Sequence, residues 1–232
     1  MTAQLVRLDG APDLVERVYR SLLDAIIDGS LPPGARLMQE QIARQLAVSR
    51  QPVLQALRAL KSDGLVLDAP GRGLLVAPLD AASIGNVYQV RAALDVLAAR
   101  LAAQQRARID PALIESGRKA ARGRSVQALI DADIAFHDAL YAASGNPLIK
   151  PSAHVHWRHV RRAMGAVLQK SASRSTVWDE HEAIALAIGR GDAESAGWLM
   201  GGHDQRASEY IRRELDAREF SPFPHVTAGG HR

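Results

Sequence analysis

The stretch "QEQIARQLAVSRQPVLQALRALKSDG", residues 39–64, decides the fold of the first third of the chain. "QEQIARQL" reads as a short helix over 39–46 and "AVS" as a tight turn. A longer helix then starts at Ser49 and runs to about Asp63. Ser49 suits the N-cap, Pro52 falls in the first turn where a missing N–H removes no bond, and Gly64 is the stop. Toward the C-terminus, "LVLDAPGRGLLVAP" reads as two short strands, 65–67 and 74–77, around a turn at 69–73. Two helices joined by a few residues and followed by a hairpin make a winged helix-turn-helix. Toward the N-terminus, "PDLVERVYRSLLDAIID" predicts a helix over 12–28. Leu14, Val18, Leu22, Ala25 and Ile26 form its apolar face, Pro12 suits its first turn and Gly29 ends it. "GSLPPGARL" is a turn-rich connector.

The second helix of such a motif lies in the major groove, with its first residues against base edges. Here those are Ser49, Arg50 and Gln51, with Gln55 one turn on. Arg pairs bidentately with guanine and Gln with adenine. Arg72, between Gly71 and Gly73 at the hairpin tip, is placed to reach phosphate or a minor groove. Between Arg36 and Lys61 stand five basic residues and one acid, Glu40, whereas the whole chain carries only +4. Each charge alone is as well explained by a solvated face; the turn, cap, early Arg and hairpin in one register favour a DNA-reading head.

The chain has 232 residues, enough for one large domain or two small ones. Hydrophobic residues make up 47% and charged residues 23%, which fits a folded soluble protein. It has no cysteine, which excludes disulfides and thiolate metal sites. No apolar run approaches a membrane span and the N-terminus lacks the apolar core of a signal peptide, so a cytoplasmic protein is expected. Beyond residue 78 the pattern is helical throughout, with helices at about 80–105, 110–120, 124–143, 146–170, 173–189 and 192–217. The expected division is a DNA-binding domain over 1–78, an all-helical effector-binding and dimerisation domain over 79–218, and a Pro/Gly-rich, disordered tail over 219–232.

Within that helical part, "LIDADIAFHDALYAASGN", residues 129–146, poses a chemical question. Leu129, Ile130, Asp133, Phe136, His137, Leu140 and Tyr141 share one helix face. The face is apolar apart from Asp133 and His137, which lie one turn apart and are costly to bury without partners. His181, near the start of "WDEHEAIALAI", and His203, inside "AESAGWLMGGHDQ", also project from apolar stripes. Singly, a buried His is more often hydrogen-bonded core than a ligand, and Asp133 can serve Arg91 or a helix end. Together, Asp133, His137, His181 and His203 form a set suited to a divalent transition metal, Zn²⁺, Ni²⁺, Mn²⁺ or Fe²⁺. Arg91 is a candidate partner for an effector carboxylate; a structural ion pair explains it equally well. In "HVHWRHVRR", 154–162, the His and Arg residues point in several directions; some of them lining a ligand pocket is one reading, and a solvated or interface face is the better one.

Over about 12–78, "LPPGARLMQEQIARQLAVSRQPVLQALRALKSDGLV" with "PGRGLLV" resembles the DNA-binding domain of the GntR family of bacterial transcription regulators. The resemblance implies a symmetric homodimer on a pseudo-palindromic double-stranded DNA operator, touched by Ser49, Arg50 and the wing glycines. Leu54 stands where the family commonly has an Arg that contacts DNA, and Gln55 where it has a Glu. Over roughly 80–215, "VYQVRAALDVLAARLAA", "DIAFHDALYAASGN", "DEHEAIALAIGRGDAESA" and "GGHDQ" resemble the metal-binding effector domain of the FadR branch. That resemblance implies an all-α antiparallel bundle, a metal on Asp133, His137, His181 and His203, and a pocket above it for a small organic acid. Asp95 replaces a common Glu, and Gly201-Gly202 precede His203. The expected function is a ligand-responsive transcription regulator, most simply a repressor, and no enzyme. The alternatives are a regulator that senses the metal itself and, further off, a metalloenzyme.

Overall fold

The computed structural model describes residues 14–168 and 176–217. Pro12, the expected break at 170–175 and the expected tail at 219–232 lie outside the described residues. The chain divides into two compact units, at 1–77 and 78–232.

In the first unit, helix α1 (Leu14–Ile27) buries Val18, Leu22, Ile26 and Ile27, the i, i+4, i+8 face of an amphipathic helix. α2 (Gln39–Gln45) and α3 (Arg50–Ser62) follow, and Val53, Ala56, Leu57 and Leu60 of α3 complete a small core with Leu65, Val66 and Val76. The Tyr19 hydroxyl donates to Asp63 at 2.5 Å and ties α1 to the end of α3. The α2–α3 turn places Ala47 in the left-handed region, φ 52°, where a β-carbon is crowded. Ser49 occupies the N-cap of α3 with an extended backbone, but its hydroxyl makes no capping bond there. The hairpin is β2 (Val66–Asp68) and β3 (Leu74–Val76), within a residue or so of expectation. A third strand, β1 (Arg36–Leu37), comes from what reads in sequence as connector. It pairs antiparallel with β3, giving the order β1-β3-β2.

The second unit is wholly helical in its described residues: α4 (Ala81–Gln104), α5 (Pro111–Arg122), α6 (Val126–Ala143), α7 (Ile149–Val167), α8 (Thr176–Arg190) and α9 (Ala193–Asp216). Four of the helices start on side-chain caps: Asp80, Asp110, Ser125 and Asp192 each accept from a backbone N–H two or three residues on. α4 and α9 run antiparallel, for Gly85 sits against Arg212 while Gly197 sits against Arg100. Glycines on both helices let the two axes approach closely. The core joins Phe136, Leu140, Tyr141, Trp157, Trp178 and Ile184. Arg162, expected on a solvated or interface face, is only 4% exposed. Burial alone brings its guanidinium down to about 10.

Candidate functional site

At the start of α3, Ser49, Arg50, Gln51 and Gln55 are all exposed, as a groove-entering helix requires. Arg50 is held by Glu40 of α2 at 2.9 Å, and its carbonyl accepts from Gln39 Nε2 at 3.1 Å. Glu40, the lone acid in the basic stretch, thus pairs with Arg50 and offsets part of its charge. Leu54 is half-buried, so it contributes packing where a guanidinium would reach outward. At the wing, Gly71 (φ 88°) and Gly73 (φ 98°) take left-handed conformations that side chains rarely adopt, which presents Arg72 at the tip. Arg36 donates to the carbonyls of Arg72 at 3.2 Å and Pro70 at 3.4 Å, bracing that turn from β1.

The four expected ligands converge from three helices of the second unit. α6 supplies Asp133 and His137 one turn apart, α8 supplies His181 and α9 supplies His203. One donor atom from each lies within 4.8 Å of all the others, and all four residues are buried. His181 Nε2 is 3.3 Å from His203 Nε2 and 3.5 Å from Asp133 Oδ1. Donors on a tetrahedral ion with bonds of about 2.05 Å stand about 3.3 Å apart, so this spacing suits a transition metal. Neither ring nitrogen of His137 has a hydrogen-bond partner, although the ring is 0% exposed. Leaving such a group unsatisfied costs about 1–3 kcal/mol, which a metal on its nitrogen would recover.

A second layer aims these rings. His203 Nδ1 meets Glu180 Oε2 at 2.8 Å, which leaves Nε2 for the cluster. His137 Nδ1 faces Asp95 Oδ2 at 3.4 Å. Asp95 in turn accepts from Tyr141 OH at 2.5 Å and Arg91 Nε at 2.9 Å. Carboxylates behind ligating imidazoles fix the tautomer and raise basicity. Phe136 stacks on His181 at 4.1 Å, and the Trp178 ring meets it edge-on at 4.8 Å. Burial, with His203, His137 and Arg91 nearby, holds His181 well below the ordinary imidazole range, in the neutral form a ligand needs. Burial also opposes charge on His203, but the Glu180 hydrogen bond with Asp204 and Asp133 outweighs it and raises that ring. Burial would push Asp95 up; Arg91, then His137 and Tyr141, pull it well below the carboxylate range.

Arg91 is 1% exposed and already paired, through Nε with Asp95 and through Nη2 with Asp204 at 2.6 Å. The structural ion pair is therefore real, and Arg91 also lines a cavity of about 180 Å³. Asp133 and His203 line that same cavity. Sequence reasoning missed Glu180 and Asp204, each adjacent in sequence to a candidate ligand, and noted Asp95 without giving it a role. Their positions beside His181 and His203, and four residues after Arg91, were the available signals.

The reading head matches the model of the bacterial regulatory proteins of the gntR family over residues 14–76, and the bundle matches the FCD domain over 86–206. The HTH-type transcriptional regulator LutR of Bacillus subtilis is 34% identical over 206 residues, covering 77% of this chain and 92% of LutR. A solved GntR transcriptional regulator from Rhodococcus sp. RHA1 is 28% identical, with a TM-score of 0.70 over 85% of this chain and 96% of that one. The structure of Escherichia coli McbR shares the fold at a TM-score of 0.72 and 21% identity, over 87% and 98% of the two chains. These families and relatives are regulators of transcription and not enzymes, and none of the described helices is long and apolar enough to cross a membrane. A winged reading head followed by an FCD bundle makes this chain a member of the GntR family of DNA-binding bacterial transcription regulators.

Proposed function

We propose that this regulator is a cytoplasmic, homodimeric repressor whose FCD bundle carries a divalent transition metal and answers to a small organic acid. The DNA-binding part is 1–78 and the effector and dimerisation part 79–218. One observation carries the reading: Asp133 and His203 belong both to the four-residue cluster and to the wall of the cavity. A ligand in that cavity therefore meets the metal centre directly. A divalent ion there supplies a Lewis-acidic position for a carboxylate. Asp133, His137, His181 and His203 hold it, while Glu180 and Asp95 fix the ring orientations. Arg91 adds positive charge at the cavity wall without leaving its own carboxylates.

In the first unit, Ser49, Arg50, Gln51 and Gln55 read base edges, and Gly71, Arg72 and Gly73 follow the backbone. Repressor half-sites lie about 34 Å apart, one turn of DNA. A ligand that favours one arrangement of α4, the helix entered after the wing, changes the spacing of the two heads in the dimer and so their joint affinity. The test is elemental analysis of the purified protein beside His137→Ala, followed by selection of an operator from random DNA. Near-stoichiometric transition metal in the wild type, lost in the variant, is the expected result. Metal in neither, even after reconstitution, makes the four residues a polar core network and removes the effector chemistry. An ion stripped by mild chelation together with operator release favours the metal itself as signal.

A further inference from the structure

The cavity is narrower in chemistry than "a small organic acid" implies. Its walls are Tyr88, Leu129, Met164, Trp178, Tyr210 and Ile211, a predominantly apolar and aromatic lining. At about 180 Å³ it is slightly larger than the ~150 Å³ dry cavities that hold a benzene ring, so it accommodates a ring or a six-carbon chain with one carboxyl group.

Its charges are already matched. Arg91 is taken by Asp95 and Asp204, both buried with it. Arg206, the other guanidinium on the wall, donates from Nε to Glu180 Oε1 at 2.6 Å, while the second oxygen of Glu180 holds His203. With Asp133, these two cations face four carboxylates, an excess of two negative charges. One divalent ion would cancel that excess and leave the site neutral. One incoming carboxylate is tolerable on the open side of the metal. A second would lie against aromatic and aliphatic walls, where Arg206, the remaining cation of the lining, is 55% exposed and already held by Glu180, and burying a poorly paired carboxylate is costly.

Resting on the metal-bearing reading above, we infer that the effector is a monocarboxylic acid with an apolar body of ring or six-carbon size, and that diacids and triacids of the same length are rejected. The geometry gives each part a role: the metal and Arg91 take the carboxylate, and the apolar wall takes the body.

The experiment is isothermal titration calorimetry on the metal-loaded full chain with matched acids, hexanoate against adipate and phenylacetate against 4-carboxyphenylacetate. Metal content is measured on the same sample. The monoacids are expected to bind at least about tenfold more tightly than their diacid partners. Met164→Lys, which places one cation on the apolar wall, is expected to narrow or reverse that preference while metal content stays the same. Metal-loaded protein that prefers the diacids, or takes up neither monoacid, overturns this inference and leaves the metal reading standing. Protein that holds no metal after reconstitution overturns both.

Discussion

At the scale of single residues, the decisive groups stand one layer behind the candidate ligands. Asp95 touches Arg91, Tyr141 and His137 at once, so it fixes a buried cation and a candidate ligand with one carboxylate. Asp95→Asn keeps the shape and removes the charge. Metal affinity is expected to drop about 10- to 100-fold, as for other groups that orient ligating imidazoles, and the variant should also melt lower because Arg91 loses half of its buried compensation. A competition titration with a chromophoric chelator reads the affinity; an unchanged value shows that the 3.4 Å approach of Asp95 to His137 has no bearing on the metal. The convergence of the candidate ligands was foreshadowed in the sequence, because Asp and His on a 3.6-periodic apolar face contradict their surroundings. Glu180 and Asp204 were not legible as participants. Their neighbours in sequence were flagged, but only the crossing of α8 and α9 shows which way each carboxylate turns.

Elements raise a different contest, between intrinsic helix propensity and room. Gly117 of α5 lies under the Trp178 ring, and a β-carbon there would come within 2.1 Å of it. Gly201 of α9 has only Val96 Cγ2 at 3.5 Å, an ordinary contact. Helix propensity favours Ala over Gly by up to about 1 kcal/mol at either site, but overpacking costs about 1–3 kcal/mol at the first. Gly117→Ala is therefore expected to lower stability and Gly201→Ala to raise it by about 0.5–1 kcal/mol, read from denaturant midpoints. α9 runs unbroken through Gly201 and Gly202, in line with the single helix expected over about 192–217. β1 was illegible for the opposite reason: two residues after a Pro/Gly run carry no period, and only pairing with β3 makes them a strand. The start of α4 gives a pH prediction. Hydrogen bonds from the Ser83 side chain and N–H, and from the Ala82 N–H, hold the Asp80 carboxyl below its usual value despite partial burial. A depressed acid contributes stability above its unfolded pKa of about 3.9 and loses it as pH falls through the lower folded value. Asp80→Ala is thus expected to cost about 1 kcal/mol at pH 6, and the gap from wild type should close below pH 4. A gap that persists at pH 2 assigns the loss to helix packing instead.

For the whole molecule, the two units make separable demands. Arg50→Ala is expected to weaken operator binding by about 1–3 kcal/mol and leave metal content and acid binding unchanged. A mobility-shift series at fixed salt checks it, because phosphate contacts make affinity steeply salt-dependent. An effect as large on random DNA as on the selected operator would reduce Arg50 to a backbone contact. The two compact units divide at 77/78, beside the change of period near residue 78; the burial of Arg162 was not readable, since a His/Arg-rich run looks the same whether it faces water or a neighbour helix. Trp178 carries a further consequence. It stands edge-on to His181, walls the cavity and is fully buried, while Trp198 is 75% exposed. The protein therefore has its own optical gauge in two buried tryptophans, Trp178 and Trp157, whose ring lies 5.1 Å from that of His137: with Trp198 changed to phenylalanine to remove surface emission, quenching of the pair by paramagnetic Ni²⁺ but not by Zn²⁺, and their spectral shift as an acid enters, would follow loading and ligand capture without any label.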